Sequence, residues 1–494
     1  MYLNNKLLIG KNDKNEANLL LNKANRHGLI TGASGSGKTI TLKVLAESFS
    51  DASVPVFLVD IKGDLAGTTY MGVNNDNIAS RVEKLGLENF ELKNFPVVFY
   101  DVYGKMGHPI RTTISNIGAK LLSRMLDLTD AQEGVLTILF RIAEDEQKDL
   151  IDLNDLRSMI NYVGENKDNY SLKYGTINTQ SLGTIQRRIL ELEEEDGAYF
   201  FGKPEFDIKD FIKYNPQTGK GNINILHGED LFQKPTLYAT FILWLLSTLY
   251  DTMPEVGDLD KPKLVFFIDE AHLLFNEMPP HLLKQVIQIV KLIRSKGIGL
   301  YFISQSPSDI PDDILSQLGN RIQHLLRSYT PKDDKAIKAA ADSYRANPDF
   351  DTEEAIKTLA TGEALISFQN ENGEPSVVDR FTILPPQSKM GTILDEQRKQ
   401  VIETSFLYNK YEQKEEPVSA LEKITEEIKI KQQEQIKLEE EKKKAEEAKL
   451  KEKKEKEEKK KQSKLEKKMD RFTNKAIDKA STKVINSIFK NLFK

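Results

Sequence analysis

The chain has 494 residues, a formal net charge of −5 and no cysteine. The lack of cysteine excludes disulfides, thiolate metal sites and cysteine nucleophiles, and it is typical of a cytoplasmic protein. The slightly acidic balance gives no support to nucleic-acid binding from whole-protein charge, so any such case depends on local patches.

Short apolar runs alternate with helical patterns up to about residue 395. This alternation is typical of βαβ units and of a parallel sheet with helices on both faces. We therefore predict an α/β fold with a mostly parallel central sheet. The predicted strands are His27–Thr31, Pro55–Asp60, Pro96–Val102, Gly221–Leu226, Lys263–Ile268, Ile298–Ser304 and Asn320–Leu326.

The run GASGSGKT follows the first of these strands and opens a helical pattern, and it fits the P-loop motif G-x-x-x-x-G-K-[ST]. The glycines let consecutive N–H groups turn inward as an anion nest, and the helix N-terminus adds partial positive charge. Lys38 is expected to reach the β- and γ-phosphates, and the Thr39 hydroxyl to ligate Mg²⁺. ATP and Mg²⁺ are the predicted cofactors. The predicted nucleotide-binding residues are Gly32, Ala33, Ser34, Gly35, Ser36, Gly37, Lys38 and Thr39.

Asp60, Lys62 and Asp64 follow the second predicted strand in VDIKGDLAG. Open α/β sheets place ligand groups at such strand ends. Two interpretations stay open at this point. The residues act near Mg²⁺ or signal to a neighbouring subunit, or they form an ordinary polar loop.

Helical spacing replaces the strand pattern between residues 118 and 214, as in GVLTILFRIAED. We predict a helical subdomain inserted between two strands of the sheet. The chain then divides into a first part of the ATPase core (1–117), the helical insertion (118–214), a second part of the core (215–395), a charged helical spacer (396–469) and a basic amphipathic helix (470–494).

The segment KLVFFIDEAH is apolar up to Asp269 and Glu270, as expected for a Walker B strand. We expect this strand to lie beside the P-loop strand. Asp269 would then hold Mg²⁺ through its water shell, and Glu270 would polarise the attacking water. The letters of residues 269–272 also spell the box of one helicase superfamily, but its companion motifs are missing, so His272 is interpreted as a packed helix-start residue.

The next predicted strand ends at Ser304 and is followed by Gln305. A neutral amide at this place can hydrogen-bond both the γ-phosphate and the attacking water, so Gln305 is interpreted as a sensor of hydrolysis. The alternative is a loop residue at a strand end. The catalytic residues predicted from the residue pattern are therefore Glu270 and Gln305.

Lysine and glutamate dominate from about residue 412 to 468, which favours a long solvated helix or a partly disordered spacer. A coiled coil fits only the first part of this segment. The last 25 residues instead form a basic amphipathic pattern, suited to a partner groove or to an anionic membrane surface. Packing on the protein itself is an equally good interpretation. The apolar face consists of Ile477, Ala480, Val484, Ile485, Ile488, Phe489 and Leu492.

Six stretches resemble, in order, the HerA/FtsK division of P-loop ATPases, and especially its bacterial YjgR-type group. They are NRHGLITGASGSGKT, VPVFLVDIKGDLAG, KPKLVFFIDEAHLLF, KLIRSKGIGLYFISQSPSDIP, LGNRIQHLLR and TGEALISF. The resemblance implies a RecA-like fold and a hexameric ring that translocates on double-stranded DNA. It does not extend to the N-terminal β-barrel of archaeal HerA, because the segment before the P-loop is too short.

Members of that division typically receive an arginine finger from the neighbouring subunit, and on resemblance Arg294 occupies that region as a third catalytic residue. Because Arg294 comes just before the strand that ends at Gln305, we expect it near the sheet edge that carries this sensor. The alternative is a helix-end basic residue favoured by the helix dipole. Arg321 and Arg327 are the next candidates.

The sequence favours two functions. The first is a ring ATPase that pulls double-stranded DNA, supported by the resemblance and by local basic residues (Lys62, Arg111, Arg124, Arg187 and Arg188). The second is an ATPase that acts on a protein or membrane-associated complex recruited through the C-terminal helices. A GTPase is disfavoured because no [NT]-K-x-D motif follows the core. A non-hydrolysing scaffold is disfavoured because the catalytic set is complete.

Overall fold

Thirteen strands in the described part of the chain form one mixed sheet. The structure is a computed structural model that describes residues 1–257, 259–276 and 278–491, without the side chains of residues 276 and 485–491. The strands are β1 (Tyr2–Leu3), β2 (Lys6–Lys11), β3 (Glu16–Leu20), β4 (Gly28–Thr31), β5 (Val56–Asp60), β6 (Val97–Asp101), β7 (His108–Pro109), β8 (Ile223–His227), β9 (Leu264–Ile268), β10 (Ile298–Ser304), β11 (Asn320–Gln323), β12 (Glu363–Ser367) and β13 (Asp379–Ile383).

The sheet has a parallel centre and an antiparallel flank. Its order is β1-β2-β13-β12-β11-β4-β10-β9-β5-β8-β6-β7, with β3 paired to β2. Every pairing from β11 to β7 is parallel, whereas β12, β13, β2 and β3 pair antiparallel. The predicted α/β fold with a mostly parallel central sheet is confirmed. The seven predicted strands coincide with β4, β5, β6, β8, β9, β10 and β11 to within three residues at each end.

Sixteen α-helices are found among the described residues. They are α1 (Lys38–Asp51), α2 (Asp76–Lys84), α3 (Ile114–Met125), α4 (Asp130–Asp145), α5 (Leu153–Glu165), α6 (Lys167–Tyr174), α7 (Thr179–Glu194), α8 (Pro235–Thr252), α9 (Ala271–Asn276), α10 (Pro280–Leu292), α11 (Asp312–Leu315), α12 (Pro331–Asp342), α13 (Thr352–Thr358), α14 (Asp395–Glu403), α15 (Tyr408–Tyr411) and α16 (Ala420–Asn491).

The central strands are apolar along their whole length because helices cover both faces of the sheet. All residues of β4, β5, β8, β9 and β10 are buried. The backbone of β4 approaches its neighbour so closely that a Cβ on Gly28 would lie 2.3 Å from the ring of Tyr301. A buried, close-packed sheet of this kind holds the residues that follow its strands in fixed positions.

Helices α3 to α7 lie in the chain between β7 and β8. Their buried faces repeat at helical spacing, as with Leu136, Leu139 and Ile142 of α4. The insertion predicted at 118–214 falls on these helices, and the five-part division of the chain stays a prediction.

The chain separates into two units, Met1–Leu421 and Glu422–Lys494. The second unit consists of α16 from Glu422 onward, and its described side chains are mostly exposed. Of the residues predicted to form the basic amphipathic helix, Leu492 and Lys494 lie outside the described residues, as do the side chains of Ile485, Ile488 and Phe489. In the described part of the chain, no helix has the length and apolar character needed to cross a membrane.

Candidate nucleotide-binding site

The P-loop connects the C-terminal end of β4 to the N-terminus of α1. Gly37 has a φ of 114°, a conformation that side chains other than glycine rarely adopt. A Cβ on Gly32 would lie 2.5 Å from the Cβ of His324 and 2.6 Å from the Oγ of Ser36. Both glycines of the motif are therefore required by the path of this loop.

The ammonium group of Lys38 lies against the P-loop backbone. Its Nζ donates hydrogen bonds to the carbonyl oxygen of Gly32 at 2.6 Å and to that of Ala33 at 3.2 Å. Burial lowers the pKa of Lys38, and the nearby charges of Glu270 and Asp269 oppose this effect. The predicted phosphate-binding cation and the two predicted acids therefore share one electrostatic environment.

The register of the parallel strands brings the predicted site residues to one edge of the sheet. Ser304 of β10 is opposite Thr31 of β4, and Phe302 of β10 is opposite Ile268 of β9. The residues that follow these strands therefore meet at the carboxyl edge. Strand β10 lies between β4 and β9, so the prediction that the Walker B strand lies beside the P-loop strand is wrong.

Asp269 is only 5% exposed, and burial together with the charge of Glu270 raises its pKa to about 7. Mg²⁺ usually takes one or two protein oxygens and completes its octahedron with phosphates and water. One carboxylate (Asp269) and one half-buried hydroxyl (Thr39) fit that requirement. Among the described residues, no group of three or more His, Asp or Glu side chains is placed to hold a metal ion.

Glu270 has a strained backbone and a charged partner. Its φ is 46°, which is uncommon for a residue other than glycine. Its Oε1 accepts a hydrogen bond from Lys62 Nζ at 2.5 Å, and Nδ1 of His272 lies 3.3 Å from its Oε2. Burial acts to raise the pKa of Glu270, but Lys62, His272 and Lys38 together lower it below its usual value. The predicted general base is therefore held as a carboxylate.

Lys62 reaches Glu270 because β5 and β9 are neighbours, with Val59 opposite Ile268. Asp60, at the end of β5, accepts hydrogen bonds from the backbone N–H groups of Gly63 and Leu65. This turn orients the loop that carries Lys62. The ion pair between Lys62 and Glu270 could not be predicted from the sequence, because no local pattern links these two distant residues.

Gln305 is exposed and lines a cavity of about 470 Å³ beside the start of the P-loop. Behind it, Ser304 Oγ donates a 2.6 Å hydrogen bond to Asp309 Oδ2, which orients the turn after β10. Arg327, which the sequence analysis named only as an alternative arginine finger, also lines this cavity. The lining also includes Ala33, Ser34, Asp309, Tyr329 and Lys332.

His324 was not predicted as a site residue, although it directly follows β11 at the same sheet edge. Its Nε2 lies 2.9 Å from Thr41 Oγ1, and its Nδ1 lies 2.9 Å from the carbonyl oxygen of Glu363. Burial lowers the pKa of His324 to about 4, so the ring is neutral at physiological pH. His324 packs against both glycines of the P-loop motif, with its Cβ beside Gly32 and its ring beside Gly37. The sequence pattern did not single out His324, because the predicted strand Asn320–Leu326 runs past it, whereas the observed strand β11 ends at Gln323.

Arg294 lies at the other end of β10. It belongs to a short 3-10 helix, Ile293–Lys296, that leads into the first residue of this seven-residue strand. Seven extended residues span roughly 23 Å. The expectation that Arg294 lies near the edge carrying Gln305 is therefore wrong, because the two residues are at opposite ends of one strand. Arg294 is therefore far from the P-loop of its own chain.

A P-loop on a mostly parallel sheet, with Walker B acids and a polar residue at the end of the intervening strand, defines a P-loop nucleotide-binding protein of RecA-like architecture. The family described as "Helicase HerA-like C-terminal" matches residues 5–494. The chain belongs to this family, and the predicted HerA/FtsK-type P-loop ATPase is confirmed. Its placement in the YjgR-type group stays a prediction.

Several curated relatives are described as "DNA double-strand break repair helicase HerA". That of Sulfurisphaera tokodaii is 24% identical over 356 residues, which cover 71% of this chain and 64% of the relative. That of Sulfolobus acidocaldarius is 21% identical over 364 residues, which cover 73% of this chain and 65% of the relative. The chain thus spans less than two thirds of these relatives.

Solved structures with a similar fold include the plasmid coupling protein TrwB in complex with ADP and Mg²⁺. It is 14% identical, with 75% of this chain and 89% of TrwB covered and a TM-score of 0.47. VirB4 of Thermoanaerobacter pseudethanolicus is 16% identical, with 78% of this chain and 97% of VirB4 covered and a TM-score of 0.46. Similarities at this level carry no argument about function.

Proposed function

We propose that this protein is an ATP-hydrolysing ring motor of the HerA-like type that translocates on double-stranded DNA. The observation that carries the proposal is the convergence of Lys38, Asp269, Glu270 and Gln305 at one sheet edge, which is the set that hydrolysis of a nucleoside triphosphate requires. Family membership and the DNA-repair description of the relatives support DNA as the client.

Each site residue has a separate task in the proposed reaction. Lys38 neutralises charge on the β- and γ-phosphates, and Thr39 and Asp269 would hold Mg²⁺, which supplies further charge neutralisation when bound. Glu270 accepts the proton of the attacking water. Gln305 contacts the γ-phosphate and reports its loss to the turn that Asp309 orients.

The proposed ring rests on the family resemblance, and Arg294 is the residue through which it would complete each site. A guanidinium at the amino edge of the sheet cannot assist its own site, so its role as a finger requires a neighbouring copy. The hexamer is part of the proposal.

The basic residues named in support of DNA binding are mostly engaged within the protein. Lys62 pairs with Glu270, Arg188 pairs with Glu191 and Asp127, and Arg111 donates to the carbonyl oxygen of Tyr411. The DNA-contacting surface is therefore proposed to form only when copies assemble.

A second candidate function is an ATPase for a protein or membrane-associated complex. One observation favours it: Phe472, Ile477 and Val484 are exposed apolar side chains on α16, in a segment that also carries lysines. A helix of this type binds partner grooves or anionic lipid surfaces.

The rate of ATP hydrolysis with and without duplex DNA, at two salt concentrations, separates the two functions. A DNA motor is stimulated by duplex DNA, and the stimulation falls steeply as salt rises because phosphate contacts release counterions. If the wild-type enzyme hydrolyses ATP but is not stimulated by duplex DNA at low salt, the result contradicts DNA translocation and favours the second function. Electron microscopy with a non-hydrolysable ATP analogue tests the ring.

A further inference from the structure

A second cavity adjoins the opposite end of the P-loop from Gln305. Its volume is about 480 Å³, within the usual range of roughly 300–1,000 Å³ for small-molecule sites. Gly37 and Ile40 form the wall contributed by the P-loop and α1. The other walls come from α2, from the turn before β12 and from the segment that follows β13.

The polarity of the P-loop determines which part of ATP lies at each end. Lys38 serves the β- and γ-phosphates, and Gln305 marks the side on which the γ-phosphate lies. The nucleoside end therefore leaves the loop on the side of Gly37 and Ile40. We propose that the second cavity holds the nucleoside of ATP, an assignment that rests on the proposed ATPase function.

The wall opposite the P-loop is bonded directly to it. The backbone N–H of Gly362 donates to the carbonyl oxygen of Ser36 at 3.1 Å, and a Cβ on Gly37 would lie 3.3 Å from the Cα of Gly362. Gly362 has a φ of 80°, and a Cβ there would lie 2.4 Å from a guanidinium nitrogen of Arg81. This packing keeps the cavity at a constant distance from the phosphate site.

The chemistry of the lining suits a flat aromatic base attached to a sugar. Ile40, Pro386 and Met390 supply apolar surface for the faces of the base. The guanidinium of Arg81 is anchored by the carbonyl oxygens of Ile383 at 3.2 Å and of Gly362 at 3.4 Å, and an anchored planar cation stacks well on a base. Polar groups for the ribose hydroxyls come from Asn77 and Ser80.

The test compares two tryptophan variants on α2. Ser80→Trp places an indole in the cavity, whereas Ala79→Trp places the same side chain at the neighbouring exposed position, which does not line the cavity. Calorimetry measures the binding of ATP and of inorganic tripolyphosphate, which has phosphates but no nucleoside. Photolabelling of the wild-type protein with 8-azido-ATP, followed by peptide mapping, locates the base independently.

We expect Ser80→Trp to weaken ATP binding about tenfold or more, because the base loses its burial, and to leave tripolyphosphate binding unchanged. Ala79→Trp should bind both probes like the wild type. The label should appear within residues 75–84 or 385–390. Labelling within residues 327–337 instead, or equal ATP affinity in both variants, overturns the assignment while ATP binding stands. Failure of the wild type to bind either probe overturns the proposed function as well.

Discussion

Glu270 is held in place by its backbone and by Lys62. Its positive φ costs about 1–3 kcal/mol, a strain that packed surroundings must offset. The 2.5 Å contact with Lys62 keeps its carboxylate ionised despite burial. A general base must be both ionised and correctly oriented, so this ion pair suits Glu270 to its proposed role in proton transfer.

Substitutions of Lys38 and Glu270 should affect different steps. Lys38→Ala removes the charge at the phosphates and should weaken nucleotide binding. Glu270→Gln should keep binding and lower the rate of hydrolysis by about 10²–10⁴-fold, because only the proton acceptor is lost. Binding of a fluorescent ATP analogue and the rate of phosphate release measure the two effects. A wild-type rate in Glu270→Gln would refute the assignment of the base.

The pH dependence of hydrolysis should change when Lys62 is replaced by methionine. Burial acts to raise the pKa of both Glu270 and Asp269, and the charge of Lys62 acts to lower both, so that the pKa of Glu270 ends below its usual value and that of Asp269 above it. Without its ammonium group, both pKa values rise, so a higher pH is needed to ionise the base. The acid limb of the kcat profile should therefore move to higher pH.

Lys62→Arg is the matched control for this measurement. It retains the positive charge, so its acid limb should stay close to that of the wild type. An unchanged limb in Lys62→Met would show that the ion pair does not control the ionisation of Glu270.

At the scale of elements, α16 is a long helix whose described side chains are mostly exposed beyond Ile424. It runs over 72 residues, and Lys456 pairs with Glu452 at i,i+4 spacing on its surface. Such pairs contribute only about 0.3–0.5 kcal/mol each, so the helix depends on many of them. Its apolar residues near the end, including Phe472 and Ile477, are exposed.

Deleting residues 470–494 should abolish association with anionic liposomes without changing the basal ATPase rate. The physical reason is that this segment combines exposed apolar side chains with lysines and contains none of the predicted nucleotide-site residues. Co-sedimentation with anionic vesicles and phosphate release are the measurements.

A charge-reversed variant distinguishes lipid binding from a general effect of shortening the helix. Replacing Lys475, Lys479 and Lys483 with glutamate retains the helix length and the apolar face but reverses the local charge. This variant should also fail to bind anionic vesicles. Equal sedimentation of the deleted, charge-reversed and full-length proteins would exclude this surface.

At the scale of the whole molecule, the predicted site residues lie at two opposite edges of the sheet. The carboxyl edge carries the P-loop, Glu270 and Gln305, and the amino edge carries Arg294. A ring that places the amino-edge residues of one copy near the carboxyl edge of the next would complete the site in trans. An arginine supplied in this way accelerates phosphoryl transfer by about 10³–10⁵-fold in other systems.

Mixing two inactive proteins tests this arrangement. In a mixed ring of Arg294→Ala and Lys38→Ala subunits, some interfaces pair an intact P-loop with an intact arginine, so part of the ATPase activity should return. Mass photometry confirms that mixed assemblies form. If they form and no activity returns, Arg294 is not a finger. Arg327 lines the cavity of its own P-loop, so it would then be tested in cis.

The amino-acid sequence by itself determined the P-loop and the seven central strands. Each of these depends on local chemistry: glycines at the turns, a lysine and a threonine at the helix start, and runs of apolar residues long enough to be buried on both faces. The position of Asp269 and Glu270 at the end of a strand could also be predicted from the sequence, because the apolar run stops there.

Only the tertiary structure decided the order of the strands and the partners of the site residues. The antiparallel flank joins β2 to β13, and the ion pair joins Lys62 to Glu270, which are 208 positions apart. The tertiary structure also places β10 between β4 and β9, and it places Arg294 at the opposite edge of the sheet from Gln305. The local sequence pattern of a short buried strand does not indicate which strand pairs with it. The pairing depends instead on how the whole sheet buries its two faces.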